Sequence, residues 1–316
     1  MSSSHTFLCR ALVLLTIAGS LPGVHTASAA TLEVGPGKTF AAPSNAAAAA
    51  QDGDHVVIAA GSYFDCALWR ANNLTIEGAG QEATVITDKS CEGKALFITR
   101  GSNITIRNLT LTRARVPDFN GAGIRAEGGD LFIDHVQFVN NQNGILAGDR
   151  PGAKITMRNS VFLKNGTCQG GGCGHGLYVG HIALLRVEQT RFAGTREGHH
   201  IKSRAQRTEV IGCDIADGPD GTASYAVEAP NGGALLVRDS HIQKGPQSQN
   251  HTAAIAIGSE GITQPTPEIT VEHNSFLVDG DYNSFLVNNI TATDAELRGN
   301  VLKGNAKALR GDGTVR

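Results

Sequence analysis

Runs of basic residues are absent from this 316-residue chain, and its formal net charge is only −2. A nucleic-acid-binding surface needs clustered Lys and Arg, so nucleic acid is not an expected partner. Aromatic residues are also scarce, at 5% of the chain with one tryptophan and four tyrosines. Such a chain has few flat rings on which neutral sugars could stack, so any carbohydrate ligand is expected to be a charged one.

Long apolar runs are missing after the N-terminus. The run from Ala11 to Leu21 is followed by Ala27-Ser28-Ala29, a small-x-small cleavage signal. We therefore expect residues 1–29 to be a signal peptide, with export to the periplasm or the extracellular space. The mature chain, 30–316, is expected to be a single monomeric domain that has no transmembrane segment and no membrane partner.

What the chain does contain is a repeat of about 27 residues. Each repeat has two short strands of alternating apolar and polar residues, with Asn, Asp or Gly between them, as in Ile104–Leu111, Leu131–Phe138 and Ile155–Phe162. The period of two argues against a helical solenoid, and the consensus of a leucine-rich repeat is absent. One repeat cannot bury its own apolar face, so neighbouring repeats must stack.

A third strand completes each repeat. Side chains alternate along a strand, so one apolar residue per repeat is expected to point inward. These residues are Ile124, Ile145, Leu177, Ile201, Val227 and Ile255. The predicted fold is all-β, a right-handed single-stranded parallel β-helix of about nine to ten coils. Ser44-Asn45 followed by Ala46 to Ala50 predicts a short helix that caps the N-terminal coil.

The repeats resemble the pectate-lyase-like superfamily of right-handed parallel β-helices over essentially the whole mature chain. The N-terminal segment does so too, with Val34-Gly35-Pro36-Gly37, then Asp52-Gly53-Asp54, then Val57 to Tyr63. This resemblance implies the scaffold but not a reaction, because the superfamily includes lyases, hydrolases, epimerases and noncatalytic proteins.

The outward positions of the third strands provide the candidate site. In the predicted register, one column stacks Arg125, Leu146, Tyr178, Lys202, Glu228 and Ala256. The preceding turn stacks His175, His199 and Tyr225, and neighbouring outward positions add His200 and Arg204. Apolar residues flank the polar ones within the column, so polarity is concentrated on three central coils, which uniform solvent exposure does not predict.

This cluster suits removal of a proton next to a uronate carboxylate. Lys202 and Arg204 would neutralise the carboxylate, and His199 or Tyr178 would transfer the proton, with His175 beside them. Arg125, Glu228, His200 and Tyr225 are predicted to bind substrate. Related β-helix lyases use Arg or Lys with His or Tyr on this face, often with calcium held by carboxylates. The sequence shows no cluster of three carboxylates and no Asp-Pro-His-Asp motif, so no metal ligand is assigned and calcium is left open.

Five cysteines remain after export. Cys66, Cys91, Cys168 and Cys173 can pair as Cys66–Cys91 and Cys168–Cys173 in an oxidising compartment, although the sequence leaves the pairing open. A zinc site formed by the last two with His175 and His199 is the less favoured alternative, because its spacing matches no standard module. Cys213 takes the inward position of Ser160, Thr190 and Ser240, which predicts a buried thiol.

Two functional hypotheses follow. The favoured one is an exported lyase or C5-epimerase that acts on an acidic, uronate-containing polysaccharide. The alternative is a noncatalytic carbohydrate- or surface-binding β-helix in which the same groove only holds the sugar. The paired Asp residues on adjacent third strands that glycoside hydrolases of this fold need are missing. The sequence names neither the polymer nor the fate of the abstracted proton.

Overall fold

The computed structural model describes residues 1–2, 29–169 and 172–316. The predicted signal segment lies almost wholly outside the described residues, so it stays a prediction. The described chain winds into a right-handed parallel β-helix of about ten coils with three strand-bearing faces. The predicted fold class is confirmed.

Faces 1 and 2 together form one 20-stranded sheet. Face 1 contains β1 (Thr31–Val34), β2 (His55–Ile58), β5 (Thr75–Gly78), β8 (Ile104–Thr112), β10 (Leu131–Val139), β12 (Arg150–Arg158), β17 (Ile182–Glu188), β20 (Arg207–Ile211), β23 (Ala234–Arg238), β26 (Ile269–Glu272), β29 (Ala295–Arg298) and β32 (Gly313–Val315). Face 2 contains the second halves of β8 and β10, with β3 (Gly61–Tyr63), β6 (Thr84–Thr87), β13 (Val161–Leu163), β18 (Arg191–Ala193), β21 (Asp214–Ala216), β24 (His241–Lys244), β27 (Ser275–Val278) and β30 (Val301–Gly304).

Face 3 is a separate ten-stranded parallel sheet made of the predicted third strands. It contains β4 (Ala67–Trp69), β7 (Ala95–Thr99), β9 (Ala122–Ala126), β11 (Asn143–Ala147), β16 (Leu177–Val179), β19 (Ile201–Ser203), β22 (Val227–Ala229), β25 (Ala253–Ile257), β28 (Ser284–Asn289) and β31 (Ala306–Arg310). A small antiparallel hairpin, β14 (Thr167–Gln169) with β15 (Gly172–Gly174), projects just before face 3 on one coil.

The bend between faces 1 and 2 uses one residue per coil in the left-handed backbone region. Asn, Asp and Gly visit that region at low cost, which explains why the repeat places them there. The residues are Asn108, His135, Asn159, Gln189, Gly212, Asp239, His273 and Gly299. The next residue of each coil points inward, and there Ser160, Thr190, Cys213, Ser240 and Asn274 are all buried.

The core consists of side-chain ladders along the helix axis. Phe138, Phe162 and Phe192 stack with ring centroids 4.5 Å apart. The predicted inward ladder on face 3, from Ile124 to Ile255, is fully buried and pairs coil to coil. Burial of such side chains stabilises the fold by about 1.5–3 kcal/mol each. Cys213 is 3% exposed, as predicted, and burial raises its thiol pKa to about 11.

The predicted N-terminal helix is present as α1 (Pro43–Ala49), and Ala46 and Ala47 pack into the core against β4 and β1. The helix starts one residue earlier than the sequence suggested. Its first turn is stabilised by Asp65, whose carboxylate accepts the Ser44 N–H at 2.8 Å from 21 residues away. The helix N-terminus is therefore capped by a carboxylate that is distant in sequence, and not by the Ser44 side chain.

Both disulfides that the sequence allowed are formed, Cys66–Cys91 and Cys168–Cys173. The second closes the β14–β15 hairpin, so these cysteines are not available as zinc ligands. No helix within the described residues is long and apolar enough to cross a membrane.

Candidate functional site

The outward column of face 3 has the predicted register. Leu146 pairs with Arg125 and Tyr178, Tyr178 with Lys202, and Lys202 with Glu228. Adjacent parallel strands lie about 4.8 Å apart, so the polar members form a short row across neighbouring coils. We refer to Tyr178, Lys202, Arg204, His175, His199 and Glu228 as the face-3 cluster.

The aromatic row before face 3 is also assembled. The rings of His175 and His199 stack at 4.9 Å, and those of His199 and Tyr225 lie 5.2 Å apart. The His199 N–H donates to His175 Nδ1 at 2.9 Å, and the Tyr225 N–H donates to His199 Nδ1 at 3.3 Å. Each Nδ1 is thus an acceptor, so in both rings a hydrogen is on Nε2.

Glu228 is the buried anion of the cluster, 3% exposed. Its Oε2 lies 3.0 Å from both His199 Nε2 and Lys202 Nζ, and Ser259 Oγ donates to its Oε1 at 2.7 Å. Burial alone raises the pKa of Glu228, but His199 and Lys202 outweigh it and bring the pKa down to about 2. Glu228 is therefore ionised at neutral pH, and it orients His199 and Lys202 without acting as an acid.

A second carboxylate, Glu260, contacts the cations from the other side. One of its oxygens accepts from Lys202 Nζ and the other from Arg204 Nη2. Burial raises the pKa of Glu260, but the two cations lower it further, so the net shift is downward. Lys202 and Arg204 together therefore hold a carboxylate, one oxygen each.

Tyr178 lies next to this carboxylate-binding pair. Arg204 Nε donates to Tyr178 Oη at 3.0 Å, so the phenolic oxygen is an acceptor there and its own hydrogen is available to another group. His175 adjoins the same ring at 5.5 Å, and burial, followed by the charge of His199, lowers the pKa of His175 well below its ordinary value. His175 is thus a neutral imidazole.

Two predicted site residues lie elsewhere. Arg125 is two strands from Tyr178, with Leu146 between them, so it does not contact the cluster. The expectation that His200 points outward is wrong. Its side chain is 1% exposed, Nδ1 pairs with Thr195 Oγ1 at 2.8 Å, and Nε2 pairs with Asp217 at 2.9 Å. His200 precedes β19 in a turn, where the alternation of a strand does not apply.

Sequence reasoning missed the loop between β25 and β26, which folds back over face 3. The Glu260 N–H donates to Pro230 O at 3.0 Å, and Gln264 Nε2 bonds to the carbonyls of Arg204, Ala205 and Gly232. Asn231 joins the site as an acceptor for Arg204. The available signal was a Ser-Glu pair between two glycines, Gly258-Ser259-Glu260-Gly261, in an unusually long connection.

Within the described residues, no group of three or more His, Cys, Asp and Glu side chains could hold a metal ion. The Glu228 and Glu260 carboxylates are instead paired with Lys202, Arg204 and His199.

Solved structures of similar fold are known, although no protein-family model matches the chain and no curated protein matches it significantly. An alginate lyase from Paenibacillus sp. str. FPU-7 has a TM-score of 0.63 at 16% identity, covering 90% of this chain and 99% of that one. Pectate lyase Pel9A has a TM-score of 0.53 at 14% identity, covering 84% of this chain and 72% of that one. ORF18 of Geobacillus virus E2 has a TM-score of 0.50 at 13% identity, covering 85% of this chain and 57% of that one. The chain therefore shares the fold of the pectate-lyase-like β-helices, and identities this low say nothing about its reaction.

Proposed function

We propose that this protein is an exported lyase that cleaves uronate-containing polysaccharides by β-elimination. The observation that carries the proposal is the way Lys202 and Arg204 share the carboxylate of Glu260 beside the Tyr178 hydroxyl. A uronate carboxylate has the same shape and charge as that of Glu260. A uronate bound in its place has its carboxylate neutralised next to a group that can move a proton.

The first chemical step is removal of the proton on C5 of the uronate. Neutralising the adjacent carboxylate stabilises the enediolate that forms, and Lys202 and Arg204 supply this charge. Tyr178, acting in its deprotonated form, is the best placed base, because Arg204 holds its oxygen beside the carboxylate-binding pair. His199 is less suited, since Glu228 and the Tyr225 N–H occupy its two ring nitrogens.

The second step breaks the bond between C4 and the glycosidic oxygen. The electron pair from the C5–H bond forms the C4=C5 double bond, and the leaving oxygen takes a proton. Tyr178, protonated in the first step, can return that proton to the leaving group, so the residue ends in its starting state. His175, neutral and next to the Tyr178 ring, helps to exclude water and to orient the phenol.

The test is incubation of the mature protein with a panel of uronate polymers, including alginate and pectate, while the ultraviolet absorbance of unsaturated chain ends is followed. We expect at least one polymer to give product, and Tyr178→Phe to lower turnover by ~10²-fold or more without changing the thermal midpoint. Binding without product on every polymer would favour the noncatalytic alternative. Conversion of C5 stereochemistry without cleavage, read by NMR, would indicate an epimerase.

Export is part of the proposal and rests on two features. The N-terminal segment has an apolar run and a cleavage signal, and two disulfides are formed, which need an oxidising compartment. Polysaccharides too large to enter a cell are met in such a compartment. Mass spectrometry of the secreted protein should find a new N-terminus near residue 30.

A further inference from the structure

A cavity lies on the turns between faces 2 and 3, outside the face-3 cluster. It has a volume of about 530 Å³ and is lined by Arg115, Phe119, Gln142, Arg196 and Asp220 among others. That volume is within the range of ligand-binding clefts, about 300–1,000 Å³. None of these residues has a part in the proposed elimination.

Two guanidinium groups converge at this cavity on a single neutral acceptor. Arg115 Nη2 donates to Asn140 Oδ1 at 2.8 Å, and Arg196 Nη2 donates to the same oxygen at 3.0 Å. Arg115 Nη1 also bonds to the carbonyls of Ala114 and Asn140. A guanidinium has five N–H groups, so both retain donors for a ligand.

Neither arginine forms a direct ion pair with a described residue, although Asp88 attracts the charge of Arg115 from farther away and Asp220 lines the same cavity. In the described part of the chain, no carboxylate lies within 4.0 Å of either one. Glu197 also lines the cavity, but it accepts the Cys168 N–H instead. Partial desolvation of the exposed Arg115 side chain, and next the positive charge of Arg196, lowers the pKa of Arg115 against an opposing attraction from Asp88. An anion between the two would relieve this repulsion and accept charge-assisted hydrogen bonds.

An aromatic ring is held at the same cavity by a strained turn. Phe119 has φ of 63°, in the left-handed region that bulky residues rarely adopt. Gln142 fastens the turn, since its Oε1 accepts the Val116 and Gly121 N–H groups at 2.9 and 2.8 Å. Strain of this kind persists where surrounding contacts enforce it, and it is concentrated at ligand sites.

We propose that Arg115, Arg196 and Phe119 form a second binding site, for a carboxylate-bearing sugar unit of the same polymer. The arginines hold the carboxylate and the phenylalanine packs on the sugar ring. Arg196 precedes His199 by three residues, so their Cα atoms are within ~11 Å and one oligosaccharide can contact both sites. This inference rests on the proposed acidic-glycan ligand but not on the elimination step.

The experiment measures binding by calorimetry in the Tyr178→Phe background, which prevents turnover. The probes are a uronate disaccharide and a uronate hexasaccharide of the polymer that the protein binds. We expect Arg196→Gln and Arg115→Gln each to weaken hexasaccharide binding by ~10-fold or more and to leave disaccharide binding unchanged, since the disaccharide fills only the face-3 cluster.

The matched control is Arg113→Gln. Arg113 is an exposed arginine two residues from Arg115, it carries the same charge, and it is already paired with Asp88 at 2.8 Å. Hexasaccharide binding should survive this change. Equal losses of hexasaccharide affinity in Arg113→Gln and Arg196→Gln would mean that the arginines act only through general charge attraction. Unchanged affinity in Arg196→Gln would mean that the hexasaccharide does not contact Arg196. Either result overturns the proposal.

Phe119→Gly tests the sugar-packing role without a folding penalty. Glycine adopts φ near 63° without strain, so the thermal midpoint should not fall, while hexasaccharide binding should weaken. A sulfated polymer that lacks carboxylates should bind poorly at this site; equal, Arg196-dependent binding of it would overturn the assignment to carboxylated sugars. Product formation by the wild type is scored separately, so failure of the elimination chemistry and failure of this site are distinguishable.

Discussion

Replacement of Glu260 by Gln tests the carboxylate-binding role of Lys202 and Arg204 directly. The substitution keeps the size of the side chain and the backbone bond from the Glu260 N–H to Pro230 O, and it removes the negative charge. A uronate carboxylate would then no longer compete with a protein carboxylate for the two cations. We therefore expect Glu260→Gln to bind uronate oligosaccharides more tightly.

The size of the effect follows from the two ion pairs. The Glu260 side chain is 41% exposed, so each pair is screened and contributes about 0–1 kcal/mol. Loss of both lowers the cost of displacement by about 0–2 kcal/mol, which corresponds to binding that is tighter by up to ~30-fold. The gain should shrink as ionic strength rises, because exposed pairs are screened by salt.

The assay is calorimetric titration in the Tyr178→Phe background, with Glu268→Gln as the control. Glu268 is also partly exposed and paired with an arginine, Arg207, but it lies outside the cluster. The control reports the general effect of one lost negative charge on binding of an anionic polymer. Weaker binding in Glu260→Gln than in Glu268→Gln would refute the reasoning, and would mean that Glu260 positions the cations instead of occupying their ligand site.

Three further predictions follow from the same geometry. Lys202→Ala and His199→Ala should each lower turnover by ~10²-fold or more, and each should also lower the thermal midpoint, because the buried Glu228 carboxylate loses a partner; turnover that stays at the wild-type level in the folded variants would contradict the site. Glu228 has a pKa lowered to about 2, so the stability that its ionised form contributes is present above about pH 4.5 and is lost as the pH falls through 2. The thermal midpoint of Glu228→Gln should therefore fall less steeply between pH 4.5 and 2 than that of the wild type. Cys213 should resist alkylation in the native protein until denaturant is added, and ready labelling would contradict its burial.

The strand register made most of the fold and part of the site predictable. Stacked strands with a period of two put Tyr178, Lys202 and Glu228 in one outward column, and the structure has that column. The inward ladder and the position of Cys213 followed from the same alternation. The outward column and the inward ladder both depend on a strand pattern that recurs in every coil, so a single sequence shows it several times.

The side-chain directions of residues outside strands could not be predicted from the strand alternation. The His200 side chain is buried because its turn directs it toward Thr195 and Asp217, and no alternation rule applies there. The Ser44 start signal was similarly replaced by Asp65, a contact that depends on tertiary packing. In each case the deciding partner is distant in sequence or lies in a turn of irregular length.

Glu260 shows why the chemistry of a solenoid is harder to predict than its scaffold. It reaches Lys202 across 58 residues by a loop that crosses the coil of Glu228, so the stacking register contains no trace of the contact. The column alone offers Lys202 next to Glu228, which is also what an ordinary inter-coil salt bridge looks like. The added loop makes the difference, because it shows the two cations holding a second carboxylate beside a tyrosine hydroxyl. Loops that leave the repeat are free to vary without disturbing the stacked core, and substrate specificity in this fold is therefore expected to reside in them.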